Sequence, residues 1–168
     1  VDTSELQQQL GQDIQQALQG WSQAQGVLKI IVTRGVGGRG YLPPAMPQLT
    51  RIVQISCWPD GRVSLPEQGV CLHLCRHVWG HNPALAGIKH LNRLDQVLAR
   101  QEWSAANSHE GLMLNQAGHV QSGVMSNIFV EYQGCLYTPL NDGAGIDGIM
   151  AAQVMAIAQD KGIQVVSI

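Results

Sequence analysis

Lys89 is the residue of this sequence with the clearest potential for covalent chemistry. It follows apolar Leu85, Ala86 and Ile88 and precedes a helical pattern. An ammonium group held among apolar side chains is disfavoured, so part of this lysine would be the nucleophilic amine that a Schiff base requires. A lysine with a covered apolar stem and its ammonium group in water fits the same residues, and composition alone favours that simpler interpretation.

Four possible zinc ligands alternate in the stretch before this lysine: Cys71, His73, Cys75 and His77. We predict a strand over residues 70–78, which would place all four side chains on one face. Neighbours on one face of a strand are about 6.6 Å apart. Such a line cannot surround a tetrahedral ion whose bonds are about 2.0–2.3 Å long. We therefore predict no metal site.

The glycine-rich loop Arg34-Gly-Val-Gly-Gly-Arg-Gly-Tyr41 could bind an anionic small molecule. It lacks the Lys-Ser/Thr ending of a P-loop and the glycine spacing of a dinucleotide-binding loop. The planar fork of donors on arginine suits carboxylates, so Arg34, Arg39 and Tyr41 are candidate pocket residues. A flexible connector is the alternative interpretation.

A second glycine-rich loop, Gly143-Ala-Gly-Ile-Asp-Gly148, leads into a predicted helix that begins near Ile149. The first turn of a helix has free N–H groups, and together with the helix dipole they can bind an anion. An ordinary helix start is the alternative.

Apolar periodicity predicts the elements that position these residues. The apolar repeat of Leu91, Leu94, Val97 and Leu98 indicates a helix after Lys89 with one apolar stripe. Gln133-Gly134 suggests a hairpin turn, and Pro59–Arg62 a second turn. Helices are also predicted over 4–21 and 149–159. Strands are predicted over 27–33, 51–57, 110–114, 119–120, 127–132 and 135–138, with a strand-like run over 163–168.

Composition excludes several classes of function. Ten Lys and Arg against twelve Asp and Glu give a net charge of −2, which provides no basic surface for nucleic acid. No apolar run is long enough to predict a membrane span, and the start Val1-Asp-Thr-Ser does not resemble a signal peptide. The four cysteines are irregularly spaced, so we expect reduced thiols in a cytoplasmic protein.

Four ordered motifs link the chain to a known family. Lys89-His-Leu-Asn-Arg-Leu-Asp-Gln-Val-Leu98, the loop ending at Tyr41, Gly118-His-Val-Gln-Ser-Gly-Val-Met-Ser-Asn-Ile-Phe129 and the loop beginning at Gly143 resemble the aminodeoxychorismate lyases. Those are fold-type IV pyridoxal-phosphate (PLP) enzymes, like the branched-chain and D-amino-acid aminotransferases. The resemblance implies an α+β fold of two α/β domains, incomplete at both ends. Residues 1–64 would be the C-terminal part of the smaller domain. Residues 65–168 would be the larger cofactor-binding domain, incomplete at its C-terminus.

The resemblance also implies a cofactor site. Lys89 would hold PLP covalently, and the backbone of Ile146 and Asp147 would bind its phosphate. Ser126 and Asn127 match the family motif and would contact the cofactor. The substrate is implied to be a small molecule, with no nucleic acid or membrane partner, and the family usually forms homodimers.

Ser122 departs from the family pattern, which has a glutamate there to pair with the protonated pyridine nitrogen of PLP. Serine can hydrogen-bond this nitrogen but does not hold it charged. The implied reaction is conversion of 4-amino-4-deoxychorismate to p-aminobenzoate and pyruvate in folate biosynthesis. Arg39 and Tyr41 would bind the substrate carboxylates. An aminotransferase of the same fold and a non-catalytic homologue remain alternatives.

Overall fold

The computed structural model describes residues 3–58, 68–105 and 107–168. Its Cα positions divide the chain into two units, Val1–Ser64 and Leu65–Ile168. The predicted turn at residues 59–62 lies outside the described residues.

The described part of the first unit consists of one helix and two antiparallel strands. Helix α1 spans Thr3–Leu18, strand β1 Gly26–Thr33 and strand β2 Thr50–Cys57. The three elements predicted from the sequence are therefore confirmed with small shifts at their ends. The partly buried positions of α1 include Leu6, Leu10, Ile14 and Ala17, which recur at steps of three and four residues.

Within residues 68–105 and 107–168, the second unit contains six short strands in two three-stranded sheets. The strands are β3 (Leu72–Leu74), β4 (Glu110–Leu114), β5 (Val120–Gly123), β6 (Val130–Tyr132), β7 (Cys135–Thr138) and β8 (Val165–Ser167). In the first sheet β4 lies between parallel β3 and antiparallel β5. In the second sheet β7 lies between antiparallel β6 and parallel β8. The predicted hairpin turn is confirmed, because Gln133 and Gly134 have φ of 52° and 80°, as a two-residue type I′ turn requires.

Two helices complete the second unit: α2 over Leu94–Arg100 and α3 over Ile149–Asp160. The helix predicted over 149–159 is confirmed as α3, which extends one residue further, to Asp160. The core of the unit is a buried cluster between α2 and the first sheet that consists of Cys75, Trp79, Ala99, Trp103, Met113 and Ala144. No helix among the described residues is long and apolar enough to cross a membrane.

The apolar stripe predicted for α2 does not face the core. Leu94, Val97 and Leu98 are 63%, 51% and 41% exposed, whereas Gln96 and Ala99 are buried. The small Ala99 side chain lets the helix approach the sheet in the core cluster, so the larger residues face outward. The helix also begins only at Leu94, and therefore Leu91 lies in the preceding loop.

The predicted long strand over residues 70–78 is also wrong, since β3 covers only Leu72–Leu74. Beyond it, the Cys75 N–H still donates to the Leu112 carbonyl at 2.9 Å. The next two N–H groups, of Arg76 and His77, donate instead to the Glu102 carboxylate at 2.8 Å each. The strand ends because a side chain replaces the neighbouring strand as the acceptor.

Candidate active site

The loop that carries Lys89 is joined to the glycine loop before α3. Gly87 and Ile146 form a parallel β-bridge. The Asp147 N–H donates to the Gly87 carbonyl at 2.9 Å, and the Gly87 N–H donates to the Gly145 carbonyl at 3.2 Å. Gly87 has φ of 77°, a left-handed conformation that favours glycine. The attachment point, Gly87, is two residues before Lys89. The segment with Lys89 is therefore bonded to the loop that is predicted to bind an anion.

Lys89 itself is exposed, and its neighbour Ile88 is 53% exposed. The expectation that apolar neighbours would enclose its amine is wrong for the described residues. The reason is that residues 88–93 form a surface loop, where the side chains of Ile88 and Leu91 point outward. The amine is accessible to a small molecule without any rearrangement of the second unit.

Asn127 connects the third motif to the same glycine loop. Its side-chain amide donates to the Ile146 carbonyl at 2.9 Å. The Ser126 hydroxyl donates to the Glu110 carboxylate at 3.0 Å, and the Met125 N–H donates to that carboxylate at 3.2 Å. These bonds hold the segment after β5 in place. The predicted site residues Lys89, Asn127 and Ile146 therefore lie on three connected segments.

The glycine loop is closely packed by polar side chains. Gly143, Gly145 and their neighbour Ala144 are buried, and a Cβ on Gly145 would collide with Asn141. The Gln121 side chain donates to the Ala144 carbonyl at 3.4 Å. Larger residues at Gly143 or Gly145 would therefore displace this loop or its polar neighbours.

Asp147 takes a different part in this loop from the one predicted for its backbone. Its N–H is already bonded to Gly87, whereas the N–H groups of Ile146 and Gly148 donate to no other described residue. Its carboxylate accepts a hydrogen bond from Asn141 Nδ2 at 2.8 Å and gives no side-chain cap to α3. These two N–H groups, together with the free N–H groups in the first turn of α3, are thus available as anion donors.

Two carboxylates that the sequence did not single out hold the segment between β3 and Lys89. Glu102 accepts the N–H groups of Arg76 and His77. Asp95 accepts the Gly80 N–H at 3.1 Å and pairs with His77 Nε2 at 2.9 Å. No local spacing could have revealed these contacts, because the partners lie 15 to 26 residues apart in sequence.

The charge of Glu102 is strongly favoured. Desolvation by itself raises the pKa of its carboxyl, but the two N–H groups and the His73 imidazole outweigh it and lower the pKa to about 2. For Cys75, desolvation raises the pKa of the thiol to about 11, with smaller contributions from Glu102 and Glu110. Cys75 is therefore an unreactive core residue.

The four alternating residues that could have been zinc ligands lie in different surroundings. His73 and His77 pair separately with Glu102 and Asp95, while Cys75 is buried in the core and Cys71 is exposed. In the part of the chain that the structure describes, no group of three His, Cys, Asp or Glu side chains could hold a metal ion.

A small cavity of about 290 Å³ lies between the Lys89 loop and the glycine loop. Its lining includes Trp79, His81, His90, Asp95, Gly143 and Gly145. The Asn92 N–H donates to His90 Nδ1 at 3.1 Å. Desolvation and the nearby Arg93 charge lower the pKa of His90 and so favour its neutral imidazole.

Comparison with known proteins identifies the family. The Amino-transferase class IV family matches residues 2–167. The chain belongs to this family. It is 33% identical over 138 residues to an aminodeoxychorismate lyase of Vibrio harveyi, covering 82% of this chain and 51% of that protein. It is 32% identical over 143 residues to a putative branched-chain-amino-acid aminotransferase of Methanocaldococcus jannaschii, covering 83% and 48%.

Solved structures agree with this assignment. The 4-amino-4-deoxychorismate lyase of Pseudomonas aeruginosa superposes with a TM-score of 0.89 at 42% identity, over 99% of this chain and 60% of that chain. A branched-chain aminotransferase of Escherichia coli has a TM-score of 0.73 at 21% identity, over 95% and 54%, and that likeness concerns the fold alone. The predicted fold-type IV architecture is confirmed, and the chain spans about half the length of the curated relatives it matches.

Ser122 lies in the middle of β5. It is the residue at which this class IV chain departs from the expected pattern. It is 4% exposed and opposite Met113, and its hydroxyl donates to the Gly123 carbonyl at 2.7 Å. Glu110 does not replace the missing carboxylate, because it shares a face of the sheet with Leu112 and Gly123 while Ser122 faces the other side.

The predicted substrate-binding residues lie in the first unit. Arg34, Arg39 and Tyr41 belong to the loop between β1 and β2, and all three side chains are exposed. Because the loop leaves these groups uncovered within its own unit, their donors are available to an anionic ligand.

Proposed function

We propose that this chain carries the active-site region of a PLP-dependent lyase that converts 4-amino-4-deoxychorismate to p-aminobenzoate and pyruvate in folate biosynthesis. The observation that carries the proposal is the junction of the Lys89 loop, the glycine loop and Asn127 through Gly87 and Ile146. The similarity to two aminodeoxychorismate lyases supports the choice of reaction.

The residues at this junction fit a phosphorylated cofactor with an aldehyde. Lys89 offers an accessible primary amine, and the N–H groups of Ile146 and Gly148 offer donors at the start of α3 for a phosphate. Asn127 and Ser126 complete the proposed cofactor site. Asp147 contributes its backbone by bonding to Gly87, with its carboxylate held toward Asn141.

Each residue then has a defined part in the reaction. When bound, PLP would supply an electron sink for the carbon that carries the substrate amine. Lys89 Nζ would hold the cofactor and then remove the proton from that ring carbon. Loss of the enolpyruvyl group from the ring makes the ring aromatic, and a proton converts the enolpyruvyl group to pyruvate. Arg39 and Tyr41 would bind the substrate carboxylates.

The direct test is to supply PLP and 4-amino-4-deoxychorismate and to measure p-aminobenzoate and pyruvate. Lys29, Lys89 and Lys161 are the three lysines of the sequence, so Lys29→Ala and Lys161→Ala are matched controls for Lys89→Ala. We expect both products in equal amounts, lost only in Lys89→Ala. Borohydride should attach PLP to the peptide that contains residues 85–93. Attachment at Lys29 or Lys161 would refute the assignment of Lys89.

An aminotransferase is the second candidate, favoured by the 32% identity to the Methanocaldococcus jannaschii protein. The test is transfer of an amino group to an added 2-oxo acid, measured as new amino acid. Transfer without release of p-aminobenzoate would replace the lyase proposal.

A non-catalytic homologue is the third candidate, and Ser122 is the observation that favours it. A protein that binds PLP at Lys89 but forms neither product would support it.

We further propose that residues 1–64 belong to the smaller domain and residues 65–168 to the cofactor-binding domain. A cytoplasmic homodimer completes the proposal, and sedimentation of the purified protein tests its dimeric state.

A further inference from the structure

Arg93 holds the peptide on both sides of Lys89. Its Nη2 donates to the Ile88 carbonyl at 2.7 Å, and its Nε donates to the His90 carbonyl at 3.0 Å. These carbonyls belong to the residues immediately before and after the lysine. Hydrogen bonds from a charged donor are stronger than those between neutral groups, so the guanidinium is a strong clamp on this loop.

The guanidinium is itself held in place by its surroundings. Its carbon lies 5.8 Å from the ring centroid of Trp79, a core residue that is 7% exposed. Its Nη1 is buried and has no hydrogen-bond partner among the described residues. Arg93 directly precedes α2, so it couples the Lys89 loop to the helix and to the core.

Arg100 provides a natural comparison at the other end of α2. Its Nη1 donates to the Trp103 carbonyl at 2.8 Å, and its guanidinium lies 4.7 Å from the Trp103 ring centroid. The chemistry is the same, an arginine on a tryptophan face bonded to a backbone carbonyl. However, the hydrogen bond and the ring contact of Arg100 are both to Trp103, outside the Lys89 loop, so Arg100 isolates the effect of position.

We propose that Arg93 is the positioning residue for Lys89 and that its two hydrogen bonds set where the lysine amine is presented to the cofactor. This inference rests on the proposed function, in which Lys89 is the residue that holds PLP. A lysine at position 93 keeps the charge but cannot reach both carbonyls with a planar fork. Arg93→Lys and Arg93→Ala should therefore form a graded series.

The first measurement needs no cofactor. The N–H groups of Ile88 and His90 donate to the Leu85 and Ile88 carbonyls, so their hydrogen exchange reports the order of the loop. We expect exchange over residues 85–93 to become at least roughly tenfold faster in Arg93→Ala, with a smaller increase in Arg93→Lys. Arg100→Lys should leave this segment unchanged. Unchanged exchange in a folded Arg93→Ala protein would overturn the clamp.

The second measurement is capture of PLP at Lys89 by borohydride. We expect the rate of capture to fall roughly tenfold in Arg93→Ala. Added methylguanidine should then raise the rate of this variant several-fold. A variant that is merely destabilised would not be rescued by such an additive. Normal capture at Lys89 in Arg93→Ala, despite faster exchange, would overturn the positioning role. Absence of capture at Lys89 in the unaltered protein would instead refute the proposed function, while the exchange result would still decide the clamp.

Discussion

The two units of the chain hold their elements in place by different means. The second unit surrounds Met113, which is fully buried, with tryptophan and alanine side chains from α2 and the neighbouring loop. None of the described residues of the first unit is buried. Its helix and strands are linked by partly exposed polar contacts, such as Arg51 Nε to Asp13 at 2.6 Å. The candidate catalytic lysine lies in the unit with a packed core, where position can be set accurately.

Equivalent glycine substitutions should have opposite effects in the two units. A Cβ at Gly111 would lie 2.8 Å from Cys75 Sγ and would collide with the Trp103 ring, so Gly111→Ala should lower the free energy of unfolding by about 3 kcal/mol. Gly11 is inside α1, and a Cβ added there would have no atom within 4 Å apart from the helix's own backbone. Gly11→Ala should therefore raise the stability by up to about 1 kcal/mol. Chemical denaturation of both variants measures the difference, and a similar effect in the two units would contradict this comparison.

Ser122→Glu tests whether the buried residue 122 faces the cofactor. Ser122 is 4% exposed, so a glutamate without cofactor would bury an unpaired carboxylate at a cost of about 2 kcal/mol. A protonated pyridine nitrogen would offset this cost, because a nearby opposite charge favours both charged forms. We expect a lower melting temperature without PLP, a larger rise on adding PLP than in the unaltered protein, and higher turnover.

Ser122→Ala is the control for that experiment and should show little change in the rise of melting temperature with PLP. If Ser122→Glu gains no extra stabilisation from PLP, then residue 122 does not face the pyridine nitrogen. Unchanged turnover with tighter PLP binding would mean that aromatisation of the substrate already drives the reaction.

Glu102→Gln should weaken the segment that leads to the Lys89 loop. The pKa of Glu102 is lowered to about 2 in the folded protein, so its contribution is present above the unfolded pKa and is lost as the pH falls toward about 2. We expect a loss of about 1–2 kcal/mol at pH 7 and a shallower loss of stability during acid titration. Glu131→Gln is the control, because Glu131 is exposed and accepts one N–H group, that of Gly134. Equal acid sensitivity of Glu102→Gln and the unaltered protein would contradict the role of this carboxylate.

The smallest expected effect is that of a chelator. His73 and His77 are engaged by separate carboxylates, so removal of divalent ions should not change the melting curve. A cooperative loss of structure on chelation that zinc reverses would show that these residues rearrange around an ion.

Local patterns predicted most of the secondary structure correctly. The β-branched runs of β1 and β2, the Gln133-Gly134 turn and the apolar repeat of α3 were sufficient, because their conformations depend on neighbours in the sequence. The family motifs likewise predicted the Lys89 loop and the glycine loop, which the structure joins at Gly87 and Ile146.

The errors occurred where a distant residue decides the local structure. The strand after Leu74 ends because Glu102 accepts the next two N–H groups, and α2 turns its leucines outward because Ala99 packs against the sheet. Neither partner can be inferred from spacing, since both depend on contacts between residues far apart in the chain.

By itself, the sequence determined the family, the element types and the identity of the candidate nucleophile, because motifs and periodicity are local properties of the chain. Only the tertiary structure decided that Lys89 is exposed, that Arg93 grips the carbonyls on either side of it, and that Asp147 turns its carboxylate toward Asn141. Those features depend on which distant groups satisfy each hydrogen bond, and they are settled only when the core brings the three segments together.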